Sequence, residues 1–305
     1  MKKSCYSSVL DNGGFSVLTI GLFPNTKKQS VCSVLEWVIQ YFKDHGVRVF
    51  LSEDTAQKMG YLDLACSQQT MIDEISIGIT LGGDGTLLST AREIASAGVP
   101  ICGINMGQLG FLTEIELPDI SAALDKLIKG EYVIEERLML DAMIVREGTT
   151  LHVSSALNDV VISKSGVSRI IKLKLYIDHE LTANYAADGL IIATSTGSTG
   201  YSLSAGGPII NPKLKVMVLT PICPHTLHAK SLVVAEEEEI RVSMVSHQDD
   251  AVLTIDGQAV YSLLPNDIVL VKRAPFRAKF IKFNGRSYYE TLRTKLWRGE
   301  VDANF

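Results

Sequence analysis

Apolar residues along this chain fall into two rhythms. Over the first 130 residues, short β-branched runs alternate with stretches whose apolar positions recur every three or four residues. Ser16–Phe23 reads as a strand that Pro24-Asn25-Thr26 ends. Val31, Val34, Leu35, Val38 and Phe42 then follow helical spacing, and Gly46 terminates that helix. Val47–Leu51 is the second strand; the polar segment 52–74 has no assignable period. Ile75–Leu81 is a buried strand, and Leu87, Leu88, Ala91 and Ile94 mark a helix running to about Ala97. Val99–Ile104 is a further strand. A helix from 119 to about 129, opened by Pro118, turns Leu124, Leu127 and Ile128 to one side before Gly130 closes it. Strands alternating with helices imply a parallel sheet with right-handed crossovers, and ligands then bind beyond the carboxyl ends of the strands.

From Glu131 the rhythm shortens. Val133–Val145, Leu151–Ser163, Ile170–Ile177, Leu190–Thr194, Val216–Thr220, Ile240–Met244, Val252–Ile255, Asp267–Lys272 and Ala278–Phe283 are strand candidates separated by turn residues. That spacing predicts a β-sandwich. The expected fold class is therefore an α/β N-terminal domain with a Rossmann-like parallel sheet, joined to a mostly-β C-terminal sandwich. The expected divisions are residues 1–136, 137–283, and a charged tail, 284–305, that could return to the first domain. The run Glu236-Glu-Glu-Glu239 is expected to be a solvated turn between strands.

Composition narrows the class. The 305 residues are 46% hydrophobic and 21% charged, which suits a well-buried globule of one large or two ordinary domains. A net charge of −5 gives no reason to expect a nucleic-acid partner, whose footprint is a basic face. Cys5, Cys32, Cys66, Cys102 and Cys223 are scattered and odd in number, with no C-x-x-C pair, so neither a disulfide framework nor a zinc site is suggested. Reduced thiols in the cytoplasm are the simple reading. The start, Met1 to Gly14, has no signal-peptide core, and no apolar run is long enough to span a bilayer.

The candidate chemistry centres on Gly82-Gly83-Asp84-Gly85-Thr86, between the Ile75–Leu81 strand and the helix after it. A strand–glycine loop–helix unit presents backbone N–H groups that can hold phosphate. The glycines let the main chain approach a ligand and take φ > 0. A carboxylate in such a cradle repels its ligand unless it binds a metal or takes a proton, which singles out Asp84. A turn in which Asp84 or Thr86 caps the helix is the competing reading. No Walker A sequence occurs elsewhere in the chain.

Three further constellations stand in the second half. Asn158-Asp159 interrupts an apolar strand; both side chains need partners, so the pair is either a turn or a bulge aimed at sugar hydroxyls. Asp188–Ile209 is a strand running into a Gly/Ser/Thr loop whose hydroxyls and N–H groups suit phosphate or a base edge, and Tyr201 could stack on an adenine. Thr220-Pro-Ile-Cys-Pro-His-Thr-Leu227 suggests a rigid turn; His225 and His228 are too few for a metal site.

The string Gly82–Thr86 resembles the motif shared by NAD kinases, diacylglycerol and sphingosine kinases and, loosely, phosphofructokinases. Asn105–Thr113, Asn158-Asp159, Asp188–Ile209, Pro221–Leu227 and Asp256-Gly257-Gln258 then stand in the order and rough spacing of bacterial-type NAD kinases. The resemblance covers the chain from about Ile75 to Gln258. Departures are Gly200 where the family usually has Ala, Ser195 where Pro is frequent, Asp159 where Glu is common, and Ala186 where several members carry Lys or Arg.

What the resemblance implies is transfer of the ATP γ-phosphoryl to the adenosine ribose 2′-hydroxyl of NAD, with Asp84 as general base and a divalent metal, Mg²⁺, arriving with ATP rather than in a protein cage. It sets NAD against Asp84, Gly85, Asn158, Asp159, Arg169, Ala186, Asp188, Thr199, Gly200, Tyr201, Ser202, Leu203, Ser204 and Gln258. Gly82, Gly83 and Thr86 would face phosphates, and Arg92 is either a phosphate contact or a surface arginine. A homodimer or homotetramer is implied, with the nicotinamide end contacted across a subunit interface and Asp188 serving a site completed by a neighbour. The alternatives are a lipid kinase sharing the glycine motif, and a dinucleotide-binding regulator without catalysis.

Overall fold

A computed structural model describes residues 18–107, 110–166, 170–225, 229–245, 251–283, 285 and 287–296. Backbone contacts divide the chain into two units. One comprises Met1–Leu87, Val99–Val133 and Ile281–Asn284; the other comprises Leu88–Gly98, Ile134–Phe280 and Gly285–Phe305.

The first unit holds β1 (Thr19–Pro24), α1 (Val31–Asp44), β2 (Arg48–Ser52), α2 (Glu53–Met59), β3 (Ala65–Cys66), α3 (Gln68–Glu74), β4 (Ile77–Gly82), the start of α4 (Asp84–Ile94), β5 (Pro100–Asn105), β6 (Ile115–Glu116) and α5 (Ile120–Ile128). Its strands pair in parallel in the order β5-β4-β1-β2-β3, with β6 beside β5. The order reverses between β1 and β4, and ligands of such sheets bind at the carboxyl ends of the strands flanking that point. The turn after β4 is Gly83, followed by Asp84 at the start of α4. Strand β4 is buried along its whole length, as a central parallel strand covered on both faces must be. The α1 stripe of Val31, Leu35, Val38, Ile39 and Phe42 is buried. Glu114 ties the 281–284 segment to this unit, pairing with Lys282 at 2.7 Å and accepting from the Phe283 N–H at 2.9 Å.

The unassigned segment 52–74 contains two seven-residue helices. Ser52 and Ser67 cap them, accepting from the N–H groups of Thr55 and Thr70. Each helix buries a single residue, Ala56 or Met71, so no apolar stripe marks it in the sequence.

The second unit contains β7 (Val133–Arg146), β8 (Thr149–Ala156), β9 (Asp159–Lys164), β10 (Ile171–Ile177), β11 (Glu180–Ala187), β12 (Gly189–Thr194), α6 (Tyr201–Ser204), β13 (Val216–Ile222), β14 (Leu232–Ala235), β15 (Ile240–Met244), β16 (Ala251–Ile255), β17 (Ala259–Leu263), β18 (Ile268–Lys282) and α7 (Tyr288–Leu296). Strands β11-β10-β15-β18, with β7 and β8, form one antiparallel layer; β14-β13-β12-β9-β16-β17 form the other. One core takes alternate residues from both, including Leu140, Leu173, Val242 and Val271 from the first and Val160, Ile162, Leu190, Leu219 and Leu253 from the second. The opposite face of β12 is also covered: Ile191, Ala193, Val161 and Val218 pack against Ala205 and Ile210.

Several expectations change here. Leu151–Ser163 is two strands, broken at Leu157-Asn158, and Asp267–Phe283 contains one fifteen-residue strand running through Pro275. Strands β11, β14 and β17 were not foreseen; all three are sheet edges, β11 diluted by polar positions and β14 and β17 only four and five residues long. Glu236–Glu239 is a turn, but Glu236 is only 1% exposed and pairs with Arg277, with Arg273 at 3.7 Å. A buried carboxylate needs such partners, so this residue is an anchor and not a solvated one. The tail helix α7 is grouped with the second unit, where Tyr288 donates to the Ile210 carbonyl at 3.2 Å and Asn211 donates to Tyr289 at 3.0 Å.

Candidate functional site

Strand β4 ends at Gly82 and α4 begins at Asp84, so Gly83 alone makes the turn. None of Gly82, Gly83 and Gly85 takes a positive φ, contrary to the expectation for a glycine-rich loop. The reason is packing. A Cβ on Gly82 would lie 2.1 Å from Thr86 Oγ1, so Gly82 lets the chain close on itself. Gly83 is different: among the described residues no atom beyond its chain neighbours lies within 4 Å of a Cβ there, and its φ makes no demand for glycine. The space over Gly83 is open, as a backbone approached by a ligand requires.

Asp84 reaches out of its own helix to the loop after β5. Its Oδ2 accepts from the Phe111 N–H at 2.8 Å; its Oδ1 accepts from Leu112 at 3.1 Å and Thr113 at 3.4 Å. Gly110 makes the grip possible, because a Cβ on it would sit 1.9 Å from Asp84 Oδ1. A carboxylate oxygen can accept two hydrogen bonds, so Oδ2 retains one acceptor position. Asn105, at the end of β5, is buried; its Nδ2 donates to the Gly107 carbonyl at 3.0 Å, and its Oδ1 has no partner among the described residues. Residues 110–113 of the Asn105–Thr113 motif thus enclose the Asp84 carboxylate; Gln108 and Leu109 lie outside the described residues.

In the second unit, Asn158, Asp159, Tyr201 and Asp256 line a cavity of about 300 Å³ that extends along β9 to Val161 and Ser163. Gly197 packs so closely on the Asn158 carbonyl that a Cβ would lie 2.0 Å from it, and the Asn158 carbonyl accepts from Thr194 N–H at 2.8 Å. A Cβ on Gly200 would lie 3.3 Å from the Gly197 carbonyl and 3.6 Å from Asn158 Nδ2, room that an alanine fills with a small adjustment. Asn158 Oδ1 is buried with no partner among the described residues, a strong acceptor in want of a donor. Asp159 is 5% exposed, and burial, then the charge of Asp256, pushes its carboxyl up to about 7. Tyr201 is 48% exposed, so its ring is available at this cavity.

Asp256 is the group that sequence reasoning underrated. Its carboxylate accepts from the N–H groups of Leu157 (3.1 Å), Asn158 (2.8 Å) and Asp159 (3.1 Å), and pairs with Arg92 Nη1 at 2.9 Å. Its signals were the Asp256-Gly257-Gln258 motif, from which only Gln258 was carried to the site, and the Asp-Gly dipeptide of a hairpin turn; Asp256 and Gly257 both have positive φ. Arg92 is therefore neither of the alternatives expected of it. It is not a surface arginine, and its guanidinium is committed to Asp256 and to Gln258 Oε1 instead of standing ready for phosphate. Arg137 was also missed: buried, it pairs with Glu135 at 2.6 Å and donates to Thr196 Oγ1 at 3.3 Å beneath the Gly/Ser/Thr loop.

Other expected contacts divide. Ser202 is fully buried and bonded to Thr220 Oγ1 at 2.9 Å, so its hydroxyl does not face the cavity. Thr199 is half-buried and donates to the Thr196 carbonyl at 3.4 Å; Leu203 is half-buried and Ser204 exposed. Asp188 pairs with Lys164 at 2.8 Å, and the Ala186 carbonyl accepts from the His225 N–H. Asp188 directly precedes β12 and Ala186 lies near the end of β11, whereas Asn158 and Asp159 stand by the far end of β12, on the order of 15–20 Å from Asp188 at the strand's rise. Arg169 and His228 lie outside the described residues, as do Thr226 and Leu227 of the proline turn.

Models of the ATP-NAD kinase N-terminal and C-terminal domains match residues 20–132 and 157–283. An NAD kinase of Moorella thermoacetica is 45% identical over 280 residues, covering 92% of this chain and 89% of that protein. One from Natranaerobius thermophilus is 40% identical over 282 residues, covering 92% and 99%. Among solved structures, an NAD kinase from Archaeoglobus fulgidus in complex with ATP is 25% identical with a TM-score of 0.70, over 88% of this chain and 94% of that one. Yeast NADH kinase complexed with NADH shares the fold at a TM-score of 0.84 and 22% identity, over 95% and 90%.

Proposed function

This chain belongs to the NAD kinase family, and we propose that it transfers the γ-phosphoryl group of ATP to the adenosine ribose 2′-hydroxyl of NAD with Asp84 as general base. The observation that carries the reading is the Asp84 carboxylate, fixed by three backbone N–H groups with an acceptor position left on Oδ2, beside the open backbone of Gly83. A base must be held still and still be able to take a proton. The 2′-hydroxyl gives its proton to Asp84, its oxygen bonds to the γ-phosphorus, and the bond from that phosphorus to the β–γ bridging oxygen breaks, releasing ADP.

The cavity over Asn158, Asp159 and Tyr201 supports the nucleoside half of the reading. The half-buried Asn158 amide and the Asp159 carboxyl at the cavity suit sugar hydroxyls, and the exposed Tyr201 ring suits a base. Among the described residues no three carboxylate, histidine or cysteine groups converge as a metal cage. That suits a divalent ion whose ligands are mainly phosphates and waters. Mg²⁺ carried by ATP would neutralise charge on the phosphates.

Assembly and location belong to the same proposal. Asp188 would serve a site completed by a neighbouring subunit of a homodimer or homotetramer. The protein would work in the cytoplasm; no helix among the described residues is long and apolar enough to cross a membrane. The test is formation of NADP from NAD, ATP and Mg²⁺, with a lipid dispersion as rival acceptor. Label passing to lipid, or to neither, would reinstate the lipid kinase or the regulator. Light scattering of active protein at assay dilution checks assembly, and a fully active monomer rejects the shared site.

A further inference from the structure

We propose that Asp256 is the positioning residue of the Leu157–Asp159 turn, held in that role by Arg92, and that the pair sets affinity for the nucleoside end of the dinucleotide. The proposal rests on the NAD reading above and adds to it two residues that act from behind the ligand.

The turn has a hydrogen-bonding problem. It leaves β8 at Ala156 and enters β9 at Asp159, and the N–H groups of Leu157, Asn158 and Asp159 all point to one side. Left unpartnered, buried N–H groups are costly, and the turn would relax to find partners. One carboxylate answers all three. Asp256 Oδ1 takes Asn158 and Asp159, while Oδ2 takes Leu157 and Arg92 Nη1, which fills the four acceptor positions a carboxylate offers. The Asp256 N–H in turn donates to the Asp159 carbonyl at 2.9 Å, so the two turns hold each other from both directions.

Asp256 cannot be a binding group itself, because its side chain is 0% exposed. Arg92 serves two ends. Nη1 neutralises a carboxylate that burial alone would disfavour, and Nη2 donates to Gln258 Oε1, two residues beyond Asp256. Of this turn, Asn158 and Asp159 line the cavity, and their direction is set by the backbone that Asp256 grips.

Calorimetric titration of NAD, together with separate KM values for NAD and ATP, tests this in Asp256→Asn and Arg92→Gln. Asparagine tolerates the positive φ of Asp256 but replaces one oxygen by a donor that opposes the N–H groups. Weakening of NAD binding by about 10–100-fold is expected, the factor carried by a lost charge-assisted hydrogen bond, with the KM for ATP unchanged. Arg92→Lys, which keeps the charge and loses the fork, should fall between wild type and Arg92→Gln. The double variant should be no weaker than the worse single one, since both act through one carboxylate. A merely structural role would lower the active fraction, reducing kcat with both KM values unmoved; that result overturns the proposal. So does unchanged NAD affinity in folded Arg92→Gln, a readout that survives even if Asp256→Asn does not fold. A wild-type protein that binds no NAD overturns the nucleotide reading, and this inference with it.

Discussion

Asp84 in the first unit and Asp256 in the second each grip three consecutive backbone N–H groups, those of 111–113 and those of 157–159. The surroundings differ. Asp256 is sealed, with Arg92 against it and no exposed side-chain surface. Asp84 is only partly buried, no residue fills its second Oδ2 position among the described residues, and the glycine before it faces open space. A carboxylate whose acceptor positions are all filled shapes the backbone around it. One that keeps a position open beside a bare stretch of main chain is able to do chemistry. The residue type is the same in both places; burial, the Arg92 pairing and the number of filled acceptor positions are what differ.

The contrast breaks most decisively at Asp84. Asp84→Asn keeps the shape but not the proton acceptor, so kcat should fall about 10²–10⁴-fold while NAD affinity, read by calorimetry, changes far less. Near wild-type kcat would remove the general base. Recovery of the rate in excess Mg²⁺ would make Asp84 a metal ligand instead.

The buried neighbour of Asp256 gives the next effect. Asp159 titrates at about 7 in the fold against an ordinary value of 3.8, raised by burial and then by Asp256. Below that ordinary value both folded and unfolded chains hold the proton, and folding is not penalised. As pH rises toward 7 the unfolded chain ionises first, so stability should decline, by roughly 1 kcal/mol per pH unit, and level off above 7. Denaturant titrations from pH 4 to 8 read this slope. It should flatten in Asp159→Asn, and an equal slope in that variant would assign the effect elsewhere.

The glycines sharpen the comparison further. Gly110→Ala drives a methyl into Asp84 Oδ1, so the carboxylate must shift, and misplacement near 1 Å costs about 10²-fold in kcat. Gly83→Ala meets nothing inside the protein; its melting temperature should hold while activity falls. Gly83→Ala with full activity would mean that no ligand approaches that backbone.

The smallest effect belongs to the nucleoside side. Tyr201→Ala should weaken NAD binding by about 1–3 kcal/mol, the range for base–aromatic stacking, and Tyr201→Phe should be mild. Equal damage from both, in folded protein, would assign the contact to the hydroxyl and reject stacking.

Much of this was legible in the chain. The β4–loop–α4 unit, the helix stripe of α1, the strands β10, β15 and β16 and the change of rhythm after Glu131 follow from local periodicity, because burial of one face repeats at the period of the element. The motif strings around Asp84, Asn158 and Tyr201 stood in order and pointed to one family. Edge strands β11, β14 and β17, and short helices α2 and α3, carried too few buried positions for a period to appear.

By itself, then, the sequence determined the two kinds of domain, the family and the candidate site residues, since each is written in neighbouring positions. The tertiary structure alone decided what those residues do for one another. It turned Arg92 from a candidate phosphate ligand into a brace, withdrew Ser202 behind Thr220, buried Glu236, and made Asp256 the clamp of a turn 97 to 99 residues away. Such bonds join groups far apart in the chain and leave no period behind. A carboxylate looks the same in sequence whether its acceptor positions are filled or open, and only folding fills them.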